Sequence, residues 1–151
     1  MNPGLDKSDD KSIYGNMILP AVPPRPNIDR KELSPPALRA FFRIAELWQL
    51  SVTEQMTLLG ITARSTFFKW RKDSNVELPK DTLERISYLL GIYKALQILL
   101  PDPRAADAWV RQPNEAPVFG GRSALERMLS GHVADLFVVR RYLDAQRGGW
   151  A

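Results

Sequence analysis

The sequence predicts an all-α protein, on three observations. Apolar residues recur at three- and four-residue steps from residue 35 onward, start and stop signals bracket those runs at helix-like lengths, and no strand signal of comparable strength competes with them. The expected order is an N-terminal pair of helix-turn-helix helices, joined by a long helix to a small C-terminal helical region.

Seven of the 12 prolines lie in the first 36 residues, and "LPAVPPRPN", Leu19 to Asn27, can sustain neither a helix nor a central strand. Residues 1–34 are therefore expected to form an extended or disordered arm. Its P-x-x-P spacing suits a proline-recognition groove, although a simple linker accounts for it as well. Helical periodicity begins at Pro35, with Pro36 suited to a first turn and Leu38, Phe41, Phe42, Ala45 and Trp48 facing inward. Ser51, three residues before Glu54, has the spacing of a capping box and opens a short second helix through Leu59, which Gly60 ends. Thr62 reads as the cap of a third helix through Phe67 and Trp70 to about Lys72. Pro79 begins the fourth, in which Leu83, Ile86, Leu89, Leu90, Tyr93, Leu96 and Leu100 form a wide apolar stripe and Gly91 marks a candidate bend.

Asp102 and Pro103 cap and open a short helix through Trp109 and Arg111, which "QPNEAP" breaks. Ser123 with Glu126 repeats the capping-box spacing, Leu125, Met128 and Leu129 give the inward face, and Gly131 suits a left-handed exit. A last helix runs from about His132 to Gln146, stopped by Gly148 and Gly149. Its "VADLFVVRRYL" is apolar on more than one side, so part of it is expected to meet something besides its own core. The organisation read from this pattern is an arm over 1–34, a DNA-binding helix-turn-helix domain over 35–100 and a helical region over 101–151. That last region has no disulfide and is small for independent stability, so it is expected to pack on the long fourth helix or on a partner.

Composition narrows the function. Apolar content of 44% with 25% charged residues is that of a soluble globular chain. With no cysteine, disulfides and thiolate metal sites are excluded, and His132 is the single histidine. Asp102, Asp107 and Glu115 have no metal-ligand spacing or nucleophile-base pair beside them, so neither catalysis nor a cofactor is expected. Acidic residues at Asp6, Asp9 and Asp10 do not fit an export signal. Ile86 to Leu100 carries Lys94 and falls short of the roughly 20 apolar residues that a bilayer requires. A cytoplasmic location without membrane contact is the expectation.

The net charge of +4 is unevenly spread: residues 35–100 hold nine basic against six acidic residues, and Arg64, Lys69, Arg71 and Lys72 fall within nine residues that contain no acid. In "SVTEQMTLLGITARSTFFKWRK" a capped helix, a glycine turn and a basic helix follow one another, the pattern of a helix-turn-helix whose second helix enters the major groove. If Phe67 and Trp70 face inward with Ala63, then Arg64, Ser65, Phe68, Lys69 and Lys72 face largely outward. Long basic side chains then reach phosphates and guanine edges while Ser65 and Thr66 add short hydrogen bonds, so Arg64, Ser65, Thr66, Lys69, Arg71 and Lys72 are the DNA-binding candidates. An antiparallel helix pair with a solvated basic exterior is the plainer alternative.

"VFGGRSALERMLSG", residues 118–131, poses a separate question. It lacks the Gly-Lys-Ser/Thr ending of a phosphate loop, follows no strand, and is not Gly-x-Ser-x-Gly. Arg122 beside helix N-terminal amides is compatible with an anion, but a tight turn with a serine cap explains the same residues without a ligand.

The stretch "AWVRQPNEAPVFGGRSALERMLSGHVADLFVVRRYLDAQRGGW", residues 108–150, resembles the toxin-binding domain of Xre/MbcA/ParS-type antitoxins, partners of RES-domain toxins. The likeness rests on a tryptophan, a Pro-Asn turn, Phe-Gly-Gly-Arg-Ser, Leu-Ser-Gly, then Val-Arg-x-Tyr-Leu-Asp-Ala and a glycine-rich end. Upstream, "LPKDTLERISYLLGIYKALQILLPD" is similar to the long helix that joins the two parts in this family. The resemblance covers residues 37–151 and leaves the proline-rich arm aside. It implies a type II antitoxin that binds its toxin, represses their shared operon on operator DNA as a dimer or larger complex, and has as partner an NAD-consuming enzyme related to ADP-ribosyltransferases. It further implies that Arg147, Gly148, Gly149, Trp150 and Ala151 approach the toxin's NAD cleft. Around that tail, Arg140, Arg141, Tyr142 and Asp144 on the last helix are further toxin-binding candidates because Arg and Tyr are enriched in protein interfaces, and Arg122 joins them. The residue types agree: two glycines permit a narrow approach, Trp150 is a large aromatic anchor, and Arg147 and a terminal carboxylate bring charge. A stand-alone regulator lacking a toxin partner shares the helix-turn-helix and the charge pattern, and the neighbouring reading frame discriminates between them.

Overall fold

The computed structural model describes residues 29–148. Seven α-helices follow in order: α1 Arg30–Leu47, α2 Val52–Leu59, α3 Arg64–Lys72, α4 Lys80–Leu99, α5 Pro103–Ala108, α6 Ala124–Met128 and α7 Val133–Gly148, with a single 3-10 turn at Trp109–Arg111 after α5. Among the described residues the only extended pairing is an isolated antiparallel bridge between Pro113 and Ser123. None of the described helices is long and apolar enough to cross a membrane.

The long helix α4 organises the molecule. It packs against α1 and α2 and also against α7, so it forms a wall common to the N-terminal and C-terminal parts. Its buried residues are Thr82, Ile86, Leu89, Ile92, Ala95 and Leu96. The expected stripe is thus present but rotated: Leu83, Leu90, Tyr93 and Leu100 are only partly covered, while Ile92 and Ala95 take central places. Packing against several helices requires a broader apolar surface than a single stripe supplies. Gly91 does not interrupt the helix. Its missing side chain instead admits the guanidinium of Arg140, which occupies the space that a Cβ would need.

The first helix begins earlier than Pro35, so residues 30–34, expected to belong to the arm, are helical. Asp29 accepts the Lys31 N–H at 3.0 Å as an N-cap, and its carbonyl accepts from Glu32 and Leu33. Pro35 and Pro36 consequently lie inside α1, not in its first turn. Proline there removes two amide donors, those facing the carbonyls of Lys31 and Glu32, and both of these residues are exposed. Ser34 strengthens this turn by donating to the Arg30 carbonyl. Its oxygen also accepts the Leu78 N–H at 2.9 Å across 44 residues of chain.

The fully buried side chains include Phe41, Trp48, Leu58, Leu59, Phe67, Leu78, Ile86, Leu89 and Met128, drawn from most of the helices and their connections. Each is worth about 1.5–3 kcal/mol relative to exposure. The core is continuous across both parts of the chain.

Candidate nucleic-acid and partner-binding surfaces

The turn between α2 and α3 is built from its caps. Ser51 accepts the Glu54 N–H at 3.1 Å and Glu54 returns the bond to the Ser51 N–H at 2.9 Å, completing the expected capping box. Gly60 takes a left-handed φ of 74°, and both Gly60 and Ile61 donate to the Met56 carbonyl, which closes the helix. Met56 itself is buried. The next helix starts one residue later than expected: Ala63, not Thr62, is the N-cap of α3, and no side chain caps it. Ala63 is accordingly exposed, whereas the sequence pattern had it facing inward with Phe67 and Trp70.

Phe67 and Trp70 anchor α3, and the rest of the helix is turned to solvent. Arg64, Ser65, Phe68, Lys69, Arg71 and Lys72 are exposed and Thr66 is half-buried. Among the described residues none of the four cations is in an ion pair, although Arg43, Arg85, Arg111, Arg127 and Arg140 all are. Two of them are braced by rings: the Arg64 guanidinium lies 5.6 Å from the Phe68 centroid and that of Arg71 lies 5.4 Å from Phe42. Lys69, Arg71 and Lys72 fall in the last turn, where the helix dipole favours positive charge. The result is a short basic helix on the outside of a rigid helix pair, the arrangement that presents charge to a duplex groove.

The C-terminal part is held by a different set of contacts. Residues 113–123 fold back on themselves: the amides of Phe119 and Gly120 bond to the Ala116 carbonyl, Gly121 N–H to the Asn114 carbonyl and Arg122 N–H to the Phe119 carbonyl. Gly120 and Gly121 take φ of 59° and 85°, a conformation that favours glycine. These turn amides are used within the turn itself, as the scaffolding reading of "VFGGRSALERMLSG" expects. Ser123 caps α6 at 3.1 Å as expected, and Gly131 takes the left-handed exit at φ 90°.

Three aromatic rings pack where this turn meets α7. Tyr142 stacks on Trp109 at 6.4 Å and meets Phe119 edge-on at 5.1 Å, and Trp109 meets Phe119 at 5.9 Å. Beside them Arg127 bonds to the Val118 carbonyl and, at 3.0 Å, to Asp135. The Ser130 hydroxyl donates to the same carboxylate; that bond, outweighing burial and helped by Arg127 and His132, holds Asp135 below the usual carboxylate range.

The candidate toxin-binding residues divide by environment. Arg140 is half-buried, lies over Gly91 and pairs with Asp144 at 3.0 Å. Tyr142 belongs to the aromatic cluster. Arg122, Arg141, Arg147 and Gly148 are exposed, with Arg141 above the Phe137 ring at 5.9 Å. Helix α7 extends through Gly148 instead of ending at Gln146. Gly149, Trp150 and Ala151 lie outside the described residues.

One residue that no sequence motif marks joins the two parts. Arg111 donates to the carbonyls of Trp48 at 3.1 Å and Gln49 at 2.8 Å, and to the Glu54 carboxylate at 3.2 Å. Burial works against ionised Glu54, but the Ser51 N–H and then Arg111 outweigh it and hold the carboxyl below its usual range. The sequence shows Arg111 only as a cation at a helix end.

A capped helix-turn-helix with an unpaired basic face, fused through a shared helix to a second helical module, defines a two-part DNA-binding protein. Comparison with known families agrees at both ends. The model of the antitoxin Xre-like helix-turn-helix domain matches residues 28–91, and that of the antitoxin Xre/MbcA/ParS C-terminal toxin-binding domain matches residues 95–149. The chain belongs to the Xre/MbcA/ParS antitoxin family. It is also 55% identical over 115 residues to the uncharacterized protein y4oB of Sinorhizobium fredii, spanning 76% of this chain and 87% of that one. It is thus an antitoxin of a toxin-antitoxin system, with a DNA-binding half and a toxin-binding half.

Proposed function

We propose that this antitoxin neutralises a RES-domain, NAD-consuming toxin by seating residues 147–151 in the toxin's active-site cleft, and that as a cytoplasmic homodimer it represses its own operon. It acts by binding and performs no catalysis. Arg64, Ser65, Thr66, Lys69, Arg71 and Lys72 contact operator DNA. Arg122, Arg141 and Arg147 present charge to the toxin, Arg140, Tyr142 and Asp144 stiffen the surface from which they project, and Gly148, Gly149, Trp150 and Ala151 form the plug. The observation that carries this reading is the toxin-binding family match over residues 95–149, which covers α7 and leads directly to Trp150.

The test is co-expression with the product of the adjacent reading frame, followed by rescue of growth. Deleting residues 147–151 is expected to leave the helical fold and DNA binding unchanged while weakening toxin binding by about 30-fold or more, the worth of an aromatic hot spot of roughly 2 kcal/mol. Equal inhibition by the full-length and shortened proteins would overturn the plug, and a harmless neighbouring product would overturn the toxin assignment.

A further inference from the structure

One ring on the outer face of α3 has no use in the core. Phe68 is 48% exposed, while Phe67 and Trp70 already fill the interior beneath the helix. Phe67 meets it edge-on at 5.2 Å and is itself braced by Phe42 at 5.9 Å, so the Phe68 ring stands on a fixed base. One turn earlier, Arg64 lays its guanidinium against that ring. Helical geometry places Phe68 on the same face as Arg64, Ser65 and Lys72. On a helix otherwise armed with cations, an exposed ring held by Phe67 beneath it and Arg64 beside it is placed to meet an apolar feature of the surface those cations approach.

We propose that Phe68 and Arg64 read two neighbouring base pairs as one unit, the ring against the 5-methyl group of a thymine and the guanidinium against N7 and O6 of a nearby guanine. This deepens the operator-binding reading above and rests on it. The thymine methyl is the apolar group that the major groove displays, and a planar guanidinium forms two bonds to guanine. Contact with the Phe68 ring limits the rotation of Arg64. Four residues along a helix span about 6 Å, and successive bases rise about 3.4 Å. The pair therefore reaches positions one to two steps apart.

The full-length protein is first used to select duplexes from a randomised DNA pool. Each thymine of the enriched site is then replaced singly by deoxyuridine, which lacks only the methyl group. One substitution is expected to weaken binding roughly fourfold, the worth of one buried methyl. Phe68→Ala should bind both duplexes equally, Phe68→Leu should keep part of the preference, and Arg64→Lys should lose the preference for guanine beside that thymine while keeping the salt dependence. Indifference to every deoxyuridine, or the same penalty in Phe68→Ala, would overturn the proposal and leave DNA binding intact. If no sequence is enriched, operator recognition itself is overturned and this reading with it.

Discussion

Ser34 has no accessible surface, and its hydroxyl serves two bonds, one to the Arg30 carbonyl and one from the Leu78 amide. Ser34→Ala is expected to cost about 1–3 kcal/mol, because the buried Leu78 N–H is left without a partner; urea denaturation of the two proteins measures the difference. Asp135 sets a pH dependence. Its carboxyl is held below the usual range by Ser130 first, and by Arg127 and His132 against burial. A group depressed in the folded state adds stability that is complete above its unfolded value near 3.9 and is lost as pH falls through the folded value. The gap in urea midpoint between the protein and Asp135→Asn should therefore be widest near neutrality and shrink below about pH 4. An unchanging gap would show that Asp135 acts through packing alone. Such contacts were not legible in the sequence: nothing in the residues around Ser34 names an amide 44 positions away, and nothing around Arg111 names Trp48.

Elements were legible where their signals are local. Ser51 with Glu54, Gly60, Asp102 with Pro103, Ser123 and Gly131 act within a few residues, and each sits in the structure where its chemistry places it. Boundaries were missed where distant contacts decide. The start of α1 at Arg30 is supported by Ser34 and Leu78, so the proline pair that reads as a beginning lies in the interior. The basic face of α3 was legible because Phe67 and Trp70 fix its rotation. Removing charge at Lys69 or Lys72 is expected to reduce the slope of log affinity against log salt by about 0.9 for each phosphate no longer neutralised, measured by titrating operator DNA at several salt concentrations. A slope that does not change would remove that lysine from the interface. The turn is equally testable. Gly60 has a positive φ, and a Cβ there would meet Arg85 Nε at 2.6 Å. Gly60→Ala should thus destabilise the helix pair by more than about 1 kcal/mol and lower the melting temperature.

In the whole molecule, the two functions share one core. Helix α4 packs against α1 and α2 and against α7, and Arg111 binds the end of α1 and the start of α2 from the C-terminal half. Arg111→Met should therefore weaken stability across the chain and not in one half alone, and hydrogen exchange should show faster amides in α2 as well as near Trp109. Faster exchange confined to the neighbourhood of residue 111 would contradict this. The gap between the two family matches, residues 92–94, falls inside α4, so it is not a seam at which the chain comes apart. The shared wall bears on how such a protein is removed from a cell. A protease that grips α7 and unwinds it strips α4 of one of its main packing partners, so the DNA-binding half should lose its order in the same event as the toxin-binding half.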